Sequence, residues 1–139
     1  MTFDDYKERR EGEEFDMTKS LGGDINMYFS DLFRFQSQLK IMHWGTSSYA
    51  EHQAYGMTYE TVDGLLDNLV EAYQGCYGKL EFPQCGYVTF KDVEVEGWLK
   101  GVMDSINNLR KEIEEDGIKN LIDEMDSAVS KLKYLLTLK

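Results

Sequence analysis

Residues 75–92, GCYGKLEFPQCGYVTFKD, hold three glycines and the only proline of the chain. They decide the fold, because the sequence on both sides repeats at helical period and this stretch does not. Proline in a helix interior loses a hydrogen bond and clashes with the preceding turn, so this stretch reads as the one long connector, with two helices before it and two after. Within it, Gly86-Tyr87-Val88-Thr89-Phe90 reads as a short extended segment, although a single strand is not stable without a partner.

Before the connector, Ile25, Phe29, Leu32, Leu39 and His43 form one stripe over residues 24–44, with Tyr28, Phe35 and Met42 in a second row. A face that broad belongs to a packed helix rather than a narrow coiled-coil seam. Residues 45–50 break the pattern, and Ser48 with Glu51 three positions later predicts a capping box at the start of the next helix. That second helix, over about 49–74, carries Tyr55, Tyr59, Val62, Leu66, Leu69 and Tyr73, with Gly75 as its expected stop. After the connector, Asp92 is the expected N-cap of a third helix, over about 93–115, with Val95, Trp98, Val102, Ile106, Leu109 and Ile113 in register. Gly117 punctuates. The fourth pattern, Ile118, Leu121, Ile122, Met125, Val129, Leu132, Leu135 and Leu136, predicts a helix over 118–138. Two tight turns and one long link describe an all-α, ferritin-like four-helix antiparallel bundle with the connector between helices 2 and 3.

At 139 residues the chain is expected to be one domain over 21–139, preceded by an acidic arm over residues 1–20. In that arm seven carboxylates outnumber the four cations Lys7, Arg9, Arg10 and Lys19. The segment has neither the apolar core of a signal peptide nor the length of a membrane span, so a cytoplasmic location is expected. Cys76 and Cys85 are too few and too far apart for a disulfide framework or a cysteine-based zinc site. The net charge of −11 would repel phosphates, which makes nucleic acid an unfavoured partner.

Both histidines of the chain, His43 and His52, lie within ten residues of each other, and Asp67 and Glu71 follow one helical turn apart. Taken alone, His43 is a core histidine and His52 a capping or surface residue. Glu60, Asp63, Asp67 and Glu71 form one carboxylate ridge on the second helix, whose mutual repulsion either a cation or plain solvent relieves. Imidazole and carboxylate together are a ligand set that iron accepts.

The block HWGTSSYAEHQAYGMTYETVDGLLDNLVEAY resembles the first two helices of Dps-type mini-ferritins, with His43-Trp44, His52 and Asp67-x-x-x-Glu71 in the family's order. The resemblance implies a ferritin-like bundle, at least a dimer, and an inter-subunit iron site. His43 and His52 would come from one subunit and Asp67 and Glu71 from its partner. The implied cofactor is iron, with Zn or Mn as substitutes, and the implied activity is Fe(II) oxidation and storage. Gly56 stands where the family carries a further aspartate. The chain is also similar in character to proteins encoded by bacteriophages. Tyr55 and Tyr59 are expected on the dimer face. The alternative reading is a catalytically degenerate bundle acting as an acidic structural or protein-interaction module; a remoter one is an acidic mimic of DNA that inhibits a host protein.

Overall fold

The computed structural model describes residues 24–83 and 86–138. Among them are four α-helices and no strand: α1 Ile25–Gly45, α2 Tyr49–Tyr77, α3 Val95–Lys111 and α4 Asp116–Leu135, with one 3-10 turn, Phe90–Asp92, before α3. The acidic arm expected over residues 1–20 and Cys85 lie outside the described residues. No described helix is long and apolar enough to cross a membrane.

Helix ends follow local chemistry. The Asp24 carboxylate accepts from the Asn26 amide at 3.0 Å and starts α1. The Ser48 hydroxyl accepts from the Glu51 amide at 3.3 Å, as the capping box requires. The returning half differs: Glu51 accepts from the Thr46 hydroxyl at 2.7 Å, and Thr46 Oγ1 in turn accepts from the Ser48 amide at 3.1 Å.

Four expected boundaries move. α2 runs past Gly75 to Tyr77, where Tyr73 stacks on Tyr77 at 4.7 Å and packs tilted against Phe29 at 5.0 Å. The stop is Gly78, whose φ of 99° suits glycine alone. The N-cap of α3 is Glu94, which accepts from the amides of Glu96 and Gly97, because Asp92 is engaged by the Thr89 hydroxyl at 2.6 Å. α3 ends at Lys111 rather than Glu115, which becomes the N-cap of α4, so Gly117 lies inside the first turn of α4. α4 ends at Leu135 rather than residue 138.

α1 packs on α2 and α3, and α4 packs on the same two helices, around one core. Phe29, Leu32 and Leu39 of α1, Val62 and Leu69 of α2, Leu109 of α3, and Met125, Val129 and Leu132 of α4 are wholly enclosed there. Burying a side chain of this size stabilises by about 1.5–3 kcal/mol before chain entropy is set against it. No buried side-chain nitrogen or oxygen among the described residues lacks a partner.

The connector lies along α1 from its start to its end. Leu80 donates to the Gln74 side chain, Glu81 donates to Asn26 at 2.9 Å, and Ser30 donates to the Pro83 carbonyl at 3.5 Å. The segment expected to be extended has a partner after all, and it is a side chain. Gln38, buried in α1, donates to the Val88 carbonyl and accepts from the Val88 amide, both at 2.8 Å. Phe90 then presses on Gly45 so closely that a Cβ there would sit 2.5 Å from its ring. α3 therefore starts near the C-terminal end of α1 and returns along it, with Trp98 against Phe35 at 5.5 Å and Ser105 donating to Asp31 at 2.8 Å.

Candidate functional site

His43 lies in the last turn of α1 and His52 near the start of α2, so the tight turn between the helices brings them face to face. Their rings stack with centroids 3.8 Å apart and planes 18° from parallel. His43 Nδ1 lies 2.7 Å from the backbone carbonyl of His52, and His52 Nδ1 lies 2.8 Å from that of His43. A carbonyl oxygen only accepts, so each Nδ1 carries the proton of its bond. The carbonyls in the last turn of a helix have no partner within it, and His52 satisfies one of α1's. The pair is thus a reciprocal lock on the α1–α2 turn.

Gly56 makes the lock possible. A Cβ at this position would lie 2.8 Å from both Cε1 and Nδ1 of His43, closer than atoms pack. The position expected to carry one more ligand is instead occupied by the imidazole itself.

Asp67 and Glu71 are exposed on α2, fifteen and nineteen residues beyond His52. At 1.5 Å per residue that places them about 22 and 28 Å further along the helix axis, so one chain cannot bring these four side chains to a common ion. Among the described residues, no three His, Cys, Asp or Glu side chains gather where a metal could be held. Glu60 and Asp63 complete the exposed ridge, and Asp63 accepts from Gln36 at 2.7 Å. α2 holds five carboxylates and not one Lys or Arg. Cys76 is a free, exposed thiol.

The tip beside the histidine lock carries two large side chains that the helical pattern did not single out. Trp44 is 67% exposed and Tyr49 is 76% exposed. Tyr49 is held by Gln53, which donates to its hydroxyl at 2.7 Å. Lys40 places its ammonium 4.5 Å from the Tyr59 ring centroid and 5.6 Å from that of Trp44. The signal was the run His-Trp-Gly at the helix end, where Trp44 falls one residue off the buried stripe. Tyr55, expected on a dimer face, is buried in the chain's own core at 2% exposure. That burial, with the Glu51 carboxylate adding to it, pushes its phenol up to about 12.

At the far end of α2, the Tyr77 hydroxyl donates to Glu115, which pins the end of α2 to the start of α4. This bond pushes the Tyr77 phenol up to about 12 and holds the Glu115 carboxyl below its ordinary range. Two clefts remain. One, of about 300 Å³, lies between α1, the connector and α3, with Phe35 and Trp98 in its wall. The other, of about 340 Å³, lies between α2 and α4.

The model of a family described as "Family of unknown function (DUF5856)" matches residues 43–136, and the chain belongs to that family. It is also similar to the "Uncharacterized 14.6 kDa protein in mobD-ri intergenic region" of Enterobacteria phage T4, 27% identical over 111 residues that make up 80% of this chain and 86% of that protein. No solved structure matches. These findings overturn the resemblance to Dps-type mini-ferritins: the block that carried it falls in a different family, and neither match is described as a ferritin. The expected iron-binding and ferroxidase character loses that support: neither match is described in such terms, and within one chain no cluster of metal ligands is present among the described residues. The expected phage association finds only a distant counterpart, the phage relative.

Proposed function

We propose that this member of the DUF5856 family is a four-helix bundle that works as an acidic protein-interaction module. The observation that carries the reading is the α1–α2 tip. Trp44 and Tyr49 stand out of the surface on a turn locked by the reciprocal histidine bonds, beside a helix with no cation of its own. Rigid, exposed Trp and Tyr are the residue types that dominate binding energy at interfaces, because they bury a large area while losing few torsions. A surrounding negative field speeds encounter with a positively charged partner and disfavours acidic ones. The partner is another protein, and a second copy of the chain is one form it can take.

The test is purification at low salt of the tagged protein from the cells that naturally make it, alongside Trp44→Ala/Tyr49→Ala. The reading expects a protein recovered in stoichiometric amount with the wild type and lost from the double variant. Light scattering on the purified protein shows whether that partner is a second copy. Should the wild type emerge alone and monomeric, or should the variant retain every partner, the interaction reading is wrong.

A further inference from the structure

The cleft between α2 and α4 extends the proposed function from a class of partner to a shape of partner. Its lining is Met57, Thr58, Thr61 and Leu65 from α2 and Glu124, Ser127, Ala128, Lys131 and Leu135 from α4. Met57 is 50% exposed, and nearby on α4 Tyr134 is 62% exposed. The two runs, 57–65 of α2 and 124–135 of α4, cover 9 and 12 residues. At 1.5 Å per residue the trough is about 12–17 Å long, which is two to three turns of a docked helix. Met57, Leu65, Ala128 and Leu135 supply its apolar contact points, so a helix laid in it would be anchored by apolar side chains at i, i+3 or i+4, and i+7.

Charge selects among such helices. Successive residues turn by about 100° around an α-helix, so Glu60, three residues on from Met57, falls about 60° from it and flanks the trough on its open side. Glu124 lies in the lining itself, and Lys131 is the one cation there. With α2 lacking Lys and Arg altogether and the chain at −11, the field over this trough is negative.

From the trough and its flanking carboxylates, we infer that the α2–α4 groove docks an amphipathic helix of a partner protein that is apolar on one face and rich in Lys or Arg on its flanks. This rests on the interaction-module reading and adds to it the site and the partner's chemistry.

The probe is a labelled 16-residue Leu-Lys peptide with leucine at i, i+3, i+4 and i+7, titrated by fluorescence anisotropy against the full chain at 50 mM salt. A peptide of the same composition without helical periodicity and a Leu-Glu peptide of the same pattern are the controls. The groove predicts binding of the periodic basic peptide only. Met57→Gln is expected to weaken it about tenfold, and Glu60→Gln/Glu124→Gln by a similar factor together with a reduced salt dependence. Circular dichroism confirms that both variants stay folded, as their exposed positions predict. Equal binding of the periodic and aperiodic basic peptides, or no effect of Met57→Gln, overturns the inference. So does a dimer by light scattering that becomes monomeric on Met57→Gln, since a second copy would then fill the groove. These failures are separable from that of the parent reading: a natural partner that is lost with Trp44→Ala/Tyr49→Ala but indifferent to Met57→Gln sinks the groove and leaves the module standing.

Discussion

Replacing Gly56 by alanine separates helix propensity from the histidine lock. In an unconstrained helix interior, Gly→Ala stabilises by about 0.8–1.0 kcal/mol, since alanine loses less backbone freedom on folding. Gly64 supplies that reference on the same helix, because a Cβ there meets nothing within 4 Å. At Gly56 the new methyl would lie 2.8 Å from two ring atoms of His43, and the ring cannot shift while Nδ1 stays 2.7 Å from the His52 carbonyl. Expelling the ring removes its hydrogen bond to the His52 carbonyl, worth about 1 kcal/mol, and the stacked contact, of order 0.5 kcal/mol, while the bond from His52 to the His43 backbone carbonyl stays. Gly64→Ala should therefore raise unfolding free energy by about 1 kcal/mol, and Gly56→Ala should lower it by about 0.5 kcal/mol after the helix gain is included.

Urea unfolding followed by circular dichroism measures both, and a third protein closes the cycle. In a His43→Ala background nothing opposes the methyl, so adding Gly56→Ala should now stabilise by about 1 kcal/mol. If Gly56→Ala is as stabilising as Gly64→Ala in the wild-type background, the lock does not hold the turn and the account of this position fails.

Three further outcomes follow from the packing. The buried Tyr55 phenol, raised to about 12, is held neutral by the fold. An unfolded phenol ionises near 10, so the folded chain binds more protons above that pH: stability is intact below pH 10 and declines between 10 and 12, by about 2 kcal/mol. Tyr55→Phe should flatten that decline in alkaline urea titrations, and an unchanged slope would show that this phenol is not the source. Gln38→Ala should release the connector, removing two bonds of about 1 kcal/mol each. Hydrogen exchange at the Val88 amide reads this directly, and undiminished protection would mean that Gln38 does not hold the segment. Gly78→Ala should destabilise by about 1–3 kcal/mol, because its φ of 99° and ψ of 178° are open only to glycine. Gly75→Ala, three residues earlier and in open space, should stabilise instead; equal effects at the two positions would put the end of α2 elsewhere.

The four helices were legible because core packing imposes a period on the apolar residues, and that period survives without any knowledge of neighbours. Phe29, Leu32, Leu39, Val62, Leu69, Leu109, Met125 and Leu132 all lie on predicted stripes and all are enclosed. Boundaries were less legible, because several residues of equal local merit compete and tertiary contacts choose between them. Asp92 and Glu94 are both able to cap α3, and the Thr89 hydroxyl removes Asp92 from the contest. Gly75 and Gly78 are both able to end α2, and the stacking of Tyr73 with Tyr77 carries the helix past the first.

The histidines show a deeper ambiguity. Two imidazoles nine residues apart across a helix turn satisfy two demands at once: they match a metal-site motif, and they match a helical hairpin in which each ring satisfies the other helix's carbonyl. Sequence spacing is the same for both. Gly56 distinguishes them, since a missing ligand and a required vacancy are the same letter with opposite meanings. As a defect in a metal site, the glycine would be tolerated and replaceable. As the space into which the His43 ring fits, it cannot accept even a methyl without displacing that ring. The same ring, held by the fold through its Nδ1, belongs to the residue just before the exposed Trp44, and so ties a glycine in α2 to the turn on which the proposed interaction surface stands.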